Sequence, residues 1–399
     1  MWTTRDRLAG GAGLLLLAMM VAAPGAAQHK PRARDLGVPF DGTPGPLNAI
    51  TDVAGVTVGH TTLVEGDGPL VVGKGPVRTG VTVILPRGSA SLQEPVFAGW
   101  FALNGNGEMT GTTWVGESGF LEGPVAITNT HSVGVVRDAL VAWRARSAPD
   151  PSGYWWSLPV VAETWDGYLN DINGFHVKDR HVFGALEAAR AGAVDEGNVG
   201  GGTGMVCYGF KGGIGTASRR LGHAAGVYTV GVLVQANFGR RPQLRVAGVP
   251  VGLEVPDETP QALARDAERR GDLGSIIVIV ATDAPLLPHQ LDRVARRVPL
   301  GLARTGSTSG NGSGDIFTAF STANRGAFRA SGVAELTMIP NEEISPIFDA
   351  TVQATEEAII NALVTAEPMT GVDGRRVIAL PHDRLQAALK KYGRLGPAR

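Results

Sequence analysis

The sequence predicts an α/β protein built as a layered sandwich. Three observations point there. Short apolar runs with strand character recur along the chain. Helical patterns come in clusters, without the strict strand–helix alternation of a doubly wound sheet. Glycine supplies 56 of 399 residues, spread without a period through strand-rich stretches, where it marks tight turns and close backbone approach.

The elements follow in order. Residues 28 to about 48 are rich in Pro, Gly and Arg and read as an extended arm. "AITDVAGVTVGHTTL" and "RTGVTVILPRG" alternate apolar with small or polar residues, as strands do. "GPVAITNTHSVGVVRDALVAWRAR" begins as a strand and becomes a helix carrying Val135, Leu140 and Trp143. "PVVAETWDGYLNDING" is a strand running into a loop, and "KDRHVFGALEAARAG" is a helix with a glycine stop. "MVCYGFKGGIGTASRRL" and "YTVGVLVQANFGRR" read as paired buried strands. "SIIVIVATDAP" is a buried strand, and "LPHQLDRVARRVPLGLART" is one helix with Leu291, Val294 and Val298 on a shared face. "GSTSGNGSGDIFTAFSTAN" is a glycine-rich loop entering a strand. "ISPIFDATVQATEEAIINALVTAE" is a long helix, and "DRLQAALKKYG" closes the chain as a short one.

Composition narrows the function classes. Apolar residues make up 43% and charged residues 18%, an ordinary globular balance, and the length suffices for a large core. A formal net charge of −1 removes any charge-driven case for nucleic acid. The single cysteine, Cys207, excludes an intrachain disulfide, and its neighbours MVCYGF make it a small buried hydrophobe. The eight histidines are scattered with no metal-binding spacing, so no metal is expected. At the N-terminus, Arg5 and Arg7 precede an uncharged apolar run from Leu8 to Ala23. Small residues Gly25 and Ala27 then occupy the −3 and −1 positions of a signal-peptide cleavage site. The run is short for a membrane span. The mature protein is therefore expected to be soluble and exported, periplasmic or secreted, with no membrane association.

Several residues carry candidate chemistry. Ser275 follows Gly274 at the mouth of "SIIVIV". A hydroxyl directly after glycine can attack the preceding carbonyl. Hydrolysis of the resulting ester would leave Ser275 as an N-terminal residue. Its own α-amine, with a reference pKa of about 7.7–8.0, would then serve as general base. The plain alternative is a serine that only starts a strand. Ser313 and Asp315, in "NGSGD", share one side of an extended chain, so Asp315 can polarise Ser313; a polar turn is the alternative. Asn237 follows the apolar run VGVLV, where its amide can donate to an oxyanion or simply end the strand. Glu163 is an acid in apolar sequence near Trp165; it needs a cation, from a substrate ammonium or a structural salt bridge. A triad of Ser275, Asp283 and His289 is disfavoured by the extended chain between them and by the lack of a G-x-S-x-G elbow. "GNVGGGTGM" lacks a phosphate loop's lysine and reads as close chain packing.

These signals occur in one arrangement. "ITDVAGVTVGHTT", "GVTVILPRG", "LNGNGEMTG", "AITNTHSVGVVRDA", "ETWDGYLNDING", "GNVGGGTGM", "GVLVQANFG", "GSIIVIVATDAPLLPHQL" and "NGSGDIFTAFSTAN" follow one another across nearly the whole mature chain. In them the sequence resembles the DmpA-type aminopeptidases of peptidase family S58, self-processing hydrolases with an N-terminal serine. The resemblance implies a four-layer αββα sandwich like that of N-terminal-nucleophile hydrolases. It implies a signal peptide over 1–27, an α-chain over 28–274 and a β-chain over 275–399, made by cleavage between Gly274 and Ser275. It implies Ser275 as nucleophile, Ser313 and Asp315 as its polarising pair, Asn237 as oxyanion donor, and Glu163 as the acid that holds a free amine. Trp165 stands where a relative has a tyrosine assisting the oxyanion site. No cofactor is implied, and the assembly expected is a tetramer of αβ units. The activity expected is removal of N-terminal residues from short peptides, amides or esters through an acyl-enzyme. Preference among L-α-, D- and β-residues stays open, because pocket shape is a tertiary property. The alternatives are an ornithine acetyltransferase-like acyltransferase and a non-catalytic binding protein of the same fold.

Overall fold

The computed structural model describes residues 30–147, 155–223, 226–255 and 274–397. The signal segment expected over 1–27, and the stretch 256–273 ahead of Ser275, lie outside the described residues. Among the described residues no helix is long and apolar enough to cross a membrane.

Two β-sheets form the centre. The smaller contains β1 (Thr57–Glu65), β2 (Val77–Leu85), β5 (Val125–Asn129) and β6 (Val160–Thr164), side by side in that order. The larger runs β4-β3-β12-β11-β10-β9. Its strands are β3 (Val96–Ala102), β4 (Phe120–Leu121), β9 (Gly213–His223), β10 (Gly226–Asn237), β11 (Ser275–Thr282) and β12 (Gly314–Ser321). Two short strands, β7 (Val206–Cys207) and β8 (Phe210–Lys211), pair beside β10. Most neighbours are antiparallel. β5–β6 and β11–β12 are parallel and need helical crossovers. The first is supplied by α2 (Val133–Ser147), which follows the short α1 (Thr112–Ser118), and the second by α5 (Pro288–Ala295) and α6 (Val298–Arg304), while the single-turn α4 (Val251–Glu254) lies between β10 and β11 in the chain.

The period-two alternation of the strands builds the layers. On β11, Ile277, Ile279 and Ala281 face the smaller sheet and join Val58, Ile84, Ile127 and Ala162 in an inner core. Ile276, Val278 and Val280 point the other way, onto α7 (Ser345–Val364) and its neighbours. The outer face of the smaller sheet packs Val81, Val83 and Val161 against α2 and α3 (Asp179–Glu187). Helices thus cover both outer faces, and the expected αββα sandwich is what the chain forms. Gly215 shows how close the layers lie: a Cβ there would sit 2.0 Å from the Ala358 carbonyl oxygen of α7.

Two local expectations change. "LPHQLDRVARRVPLGLART" forms two helices, not one, with the break at Arg296 and Arg297. Pro299 is the physical cause, since its ring blocks continuation of the preceding helix. Leu291, Val294 and Val298 remain buried on one face. The N-terminal arm is also folded down rather than extended. It turns at residues 33–37, buries Ala33, Leu36 and Val38, and places Arg34 Nε 2.7 Å from Glu357 of α7. Arg219 of β9 binds the other oxygen of the same carboxylate at 2.7 Å.

Candidate active site

Sheet register brings Ser275, Asn237 and the start of β12 to one end of the larger sheet. Ser275 opens β11; Asn237, the last residue of β10, lies opposite it on one side and Gly314, the first of β12, on the other. The Gly314 N–H donates to Ser275 Oγ at 3.2 Å. Ser275 is buried. In the continuous chain its nitrogen is an amide, not an amine. Gly274 passes so close to β10 that a Cβ there would lie 2.1 Å from Asn237 O and 2.3 Å from Phe238 Cα. Both atoms belong to backbone, so a larger residue forces the strands apart.

Ser313 Oγ donates to Asp315 Oδ1 at 2.7 Å, and both residues are fully buried. Asn104, in the loop after β3, grips the same acid. Its Oδ1 accepts the Asp315 N–H at 2.6 Å, while its Nδ2 donates to Gly310 O at 3.2 Å and to Asp315 Oδ2 at 3.4 Å. Asn106 secures the neighbouring turn by donating to Gly312 O at 2.7 Å.

Asn237 is held in one orientation. Its Oδ1 accepts the Val206 N–H at 2.8 Å, and its Nδ2 donates to Trp165 O at 2.9 Å. An N–H on one side and a carbonyl on the other fix which end of the amide is nitrogen. One Nδ2 hydrogen serves Trp165, which leaves a second on a residue directly across from Ser275. Trp165 meets Asn237 through its backbone carbonyl. The residue is 43% exposed, and its indole stands over Gly167.

Glu163 sits on β6, opposite Thr128 of β5, and is only 3% exposed. Oε1 accepts the Glu108 N–H at 2.9 Å, and Oε2 accepts the Thr130 hydroxyl. Burial pushes its carboxyl above the ordinary carboxylate range, and the bonds from Thr130 and Glu108 oppose that shift. Among the described residues no lysine or arginine forms an ion pair with it, so the structural salt bridge weighed from sequence is absent there. A Cβ on Gly107 would lie 3.0 Å from Gly314 Cα and 3.3 Å from Glu163 Oε1. Glu163 and the Ser275–Gly314 pairing therefore flank a single residue.

Behind Asn237 lies a group with no sequence signal, Lys211 in "YGFKGG". It is fully buried, and its Nζ donates to Met205 O and Gly212 O at 2.8 Å each and to Gly202 O at 3.3 Å. Burial pulls the ammonium down to about 7, while Cys207 and Asp166 act to raise it. Asn104, Thr130 and Glu108 went unnoticed for a similar reason. Each lies in or beside a motif read from the sequence, but uncharged or backbone donors leave no pattern. Asp283 and His289 do not join Ser275. β11 puts Thr282 at its far end, and Asp283 there accepts the Thr229 N–H at 2.7 Å. The glycines of "GNVGGGTGM" pack closely against neighbouring chain, Gly202 and Gly204 against strand backbone, where a Cβ would lie 2.5 Å from Ile214 N and 2.3 Å from Arg78 O.

A sequence model of peptidase family S58 matches residues 48–377. The β-peptidyl aminopeptidase BapA of Sphingosinicella microcystinivorans is 56% identical over 393 residues, which cover 96% of this chain and 98% of that one. The solved L-aminopeptidase D-Ala-esterase/amidase of Ochrobactrum anthropi is described as a prototype for the serine aminopeptidases and a new variant of the Ntn hydrolase fold. It superposes with a TM-score of 0.85 at 48% identity, covering 92% of this chain and all of its own. A β-aminopeptidase from Burkholderia sp. superposes with a TM-score of 0.82 at 51% identity, covering 91% of this chain and 99% of its own. Similarity of this extent, over an αββα sandwich of the Ntn hydrolase type, shows that the chain belongs to peptidase family S58.

Proposed function

We propose that the protein is a self-processing serine aminopeptidase and amidase whose nucleophile is Ser275. The carrying observation is the register that sets Ser275 between Asn237 and Gly314, with the buried Ser313–Asp315 pair and Glu163 alongside.

Processing comes first. Ser275 Oγ attacks the Gly274 carbonyl carbon, the C–N bond breaks, and the acyl group moves to oxygen. Water hydrolyses the ester, leaving a Gly274 carboxylate and a free Ser275 amine. That amine is the general base that the continuous chain lacks. In turnover, a peptide, amide or ester enters with its ammonium against Glu163. Ser275 Oγ gives its proton to its own amine and attacks the first acyl carbonyl. The second Nδ2 hydrogen of Asn237 and a backbone N–H receive the oxyanion. Ser313, fixed by Asp315, orients the Ser275 amine and hydroxyl. The amine then protonates the leaving nitrogen, and water releases the acyl group.

Substrates are short peptides, amides or esters with a free amine. β-Aminoacyl substrates rank first, because two relatives are named for that activity. The N-terminal pattern of Arg5, Arg7 and the run to Ala23 supports export to the periplasm or beyond, and the family resemblance supports a tetramer of αβ units.

Intact mass of the purified protein tests the proposal. Wild type yields two pieces, the smaller being residues 275–399, and Ser275→Ala yields one. Active wild type running as a single uncleaved chain overturns it, and an inactive single chain favours a binding protein of the same fold.

A further inference from the structure

We propose that Lys211 is a positioning residue for the reaction, a buried ammonium that polarises the Asn237 amide through the Met205–Val206 peptide. This rests on the reading of Asn237 as oxyanion donor.

The path is continuous. Lys211 Nζ donates to Met205 O at 2.8 Å. The same peptide unit carries the Val206 N–H, which donates to Asn237 Oδ1 at 2.8 Å. The Asn237 amide ends in Nδ2, across the strand from Ser275. A cation on the carbonyl end of a peptide draws electron density from its N–H. That N–H, now a stronger donor, draws density from the Asn237 carbonyl, and Nδ2–H becomes a stronger donor in turn. Hydrogen bonds in a chain reinforce one another in this way, most strongly away from water.

Two features of Lys211 support this reading. Lysine is rarely fully buried without an anionic partner in contact, because desolvating its charge is costly. Lys211 forms no ion pair among the described residues: Asp166 acts on it without touching it, and its three contacts are carbonyls. Three acceptors also suit the charged form, since an ammonium has three N–H donors and a neutral amine only two. The N–H groups satisfy the three carbonyls, and the charge placed on the Met205 carbonyl is the part that reaches Asn237.

The test compares Lys211→Met, Asn237→Ala and the double variant in self-cleaved protein, with kcat counted per titratable serine. Lys211→Met is expected to lower kcat about 10- to 100-fold, less than the roughly 100- to 1,000-fold of removing an oxyanion donor outright. KM stays within about twofold. Affinity for a peptide aldehyde, whose adduct carries the oxyanion, falls by the same factor as kcat. In the Asn237→Ala background, Lys211→Met has no further effect on kcat. A solely structural lysine would lower the melting temperature and the number of active sites and leave kcat per site unchanged. That result, or an equal loss in both backgrounds, overturns the proposal. If Asn237→Ala itself keeps full kcat, the oxyanion reading fails instead. Should Lys211→Met not fold, Lys211→Gln keeps a neutral donor and is expected to show the same loss. Should neither fold, the 15N resonance of Lys211 Nζ in active wild type decides, and a neutral amine there overturns the proposal.

Discussion

Replacing Glu163 by glutamine removes one charge and almost no volume. Glu163 is 3% exposed, and each carboxylate oxygen already holds one donor, the Glu108 N–H and the Thr130 hydroxyl. Under the proposed function, a substrate ammonium arriving there completes a buried charge pair. Truncating one partner of such a pair costs about 2–5 kcal/mol. That corresponds to roughly 30- to 5,000-fold in kcat/KM for substrates with a free amine. An ester of the same acyl group with a blocked nitrogen carries no cation and is expected to lose less than about threefold. The pH profile supplies a second reading. Burial raises the Glu163 carboxyl, and only its ionised form pairs with an ammonium. Wild-type kcat/KM therefore rises with pH through a value above the ordinary carboxylate range, and Glu163→Gln lacks that limb. Stability moves the opposite way. The fold holds this proton more tightly than the unfolded chain does, so ionising Glu163 costs stability as pH rises past the unfolded value. Glu163→Gln is expected to melt above wild type at neutral pH without substrate. Steady-state rates on the paired substrates, with thermal melts, measure all three effects. Equal loss on amine-bearing and amine-blocked substrates would refute the pairing.

Two further outcomes follow from the same geometry. Gly274→Ala places a methyl group 2.1 Å from Asn237 O and 2.3 Å from Phe238 Cα, which parts β10 from β11 where Ser275 must aim. Such overpacking costs about 1–3 kcal/mol, so self-cleavage followed by intact mass slows roughly 5- to 150-fold; a wild-type rate contradicts the close approach. Asn104→Ala removes the acceptor of the Asp315 N–H and one donor to its carboxylate, so kcat falls by about tenfold or more with KM little changed; an unchanged kcat would reduce Asn104 to a loop anchor.

Much of the scaffold was legible because periodicity is a local property. Ile276 to Ala281 alternate between two cores, and a strand buried on both faces reads as a continuous apolar run. The helix break is also local in origin, since Pro299 interrupts an otherwise helical pattern whose period alone reads as one helix. The N-terminal arm was misjudged for a different reason. Its arginines look like solvated charge until Glu357, more than three hundred residues away, takes Arg34 and Glu196 takes Arg32.

The site divides along the same line. By itself the sequence determined which residues stand as candidates: a serine after glycine, a serine two places before an acid, an amide closing an apolar strand, and an acid in apolar surroundings. Each is a matter of neighbours in the chain. Only the tertiary structure decided which groups hold them. Asn104 reaches Asp315 across 211 residues, Thr130 reaches Glu163 across 33, and Lys211 reaches Asn237 through a peptide neither belongs to. Hydrogen bonds act over about 3 Å in space and carry no period along the chain, so partners set by folding leave no mark in residue order.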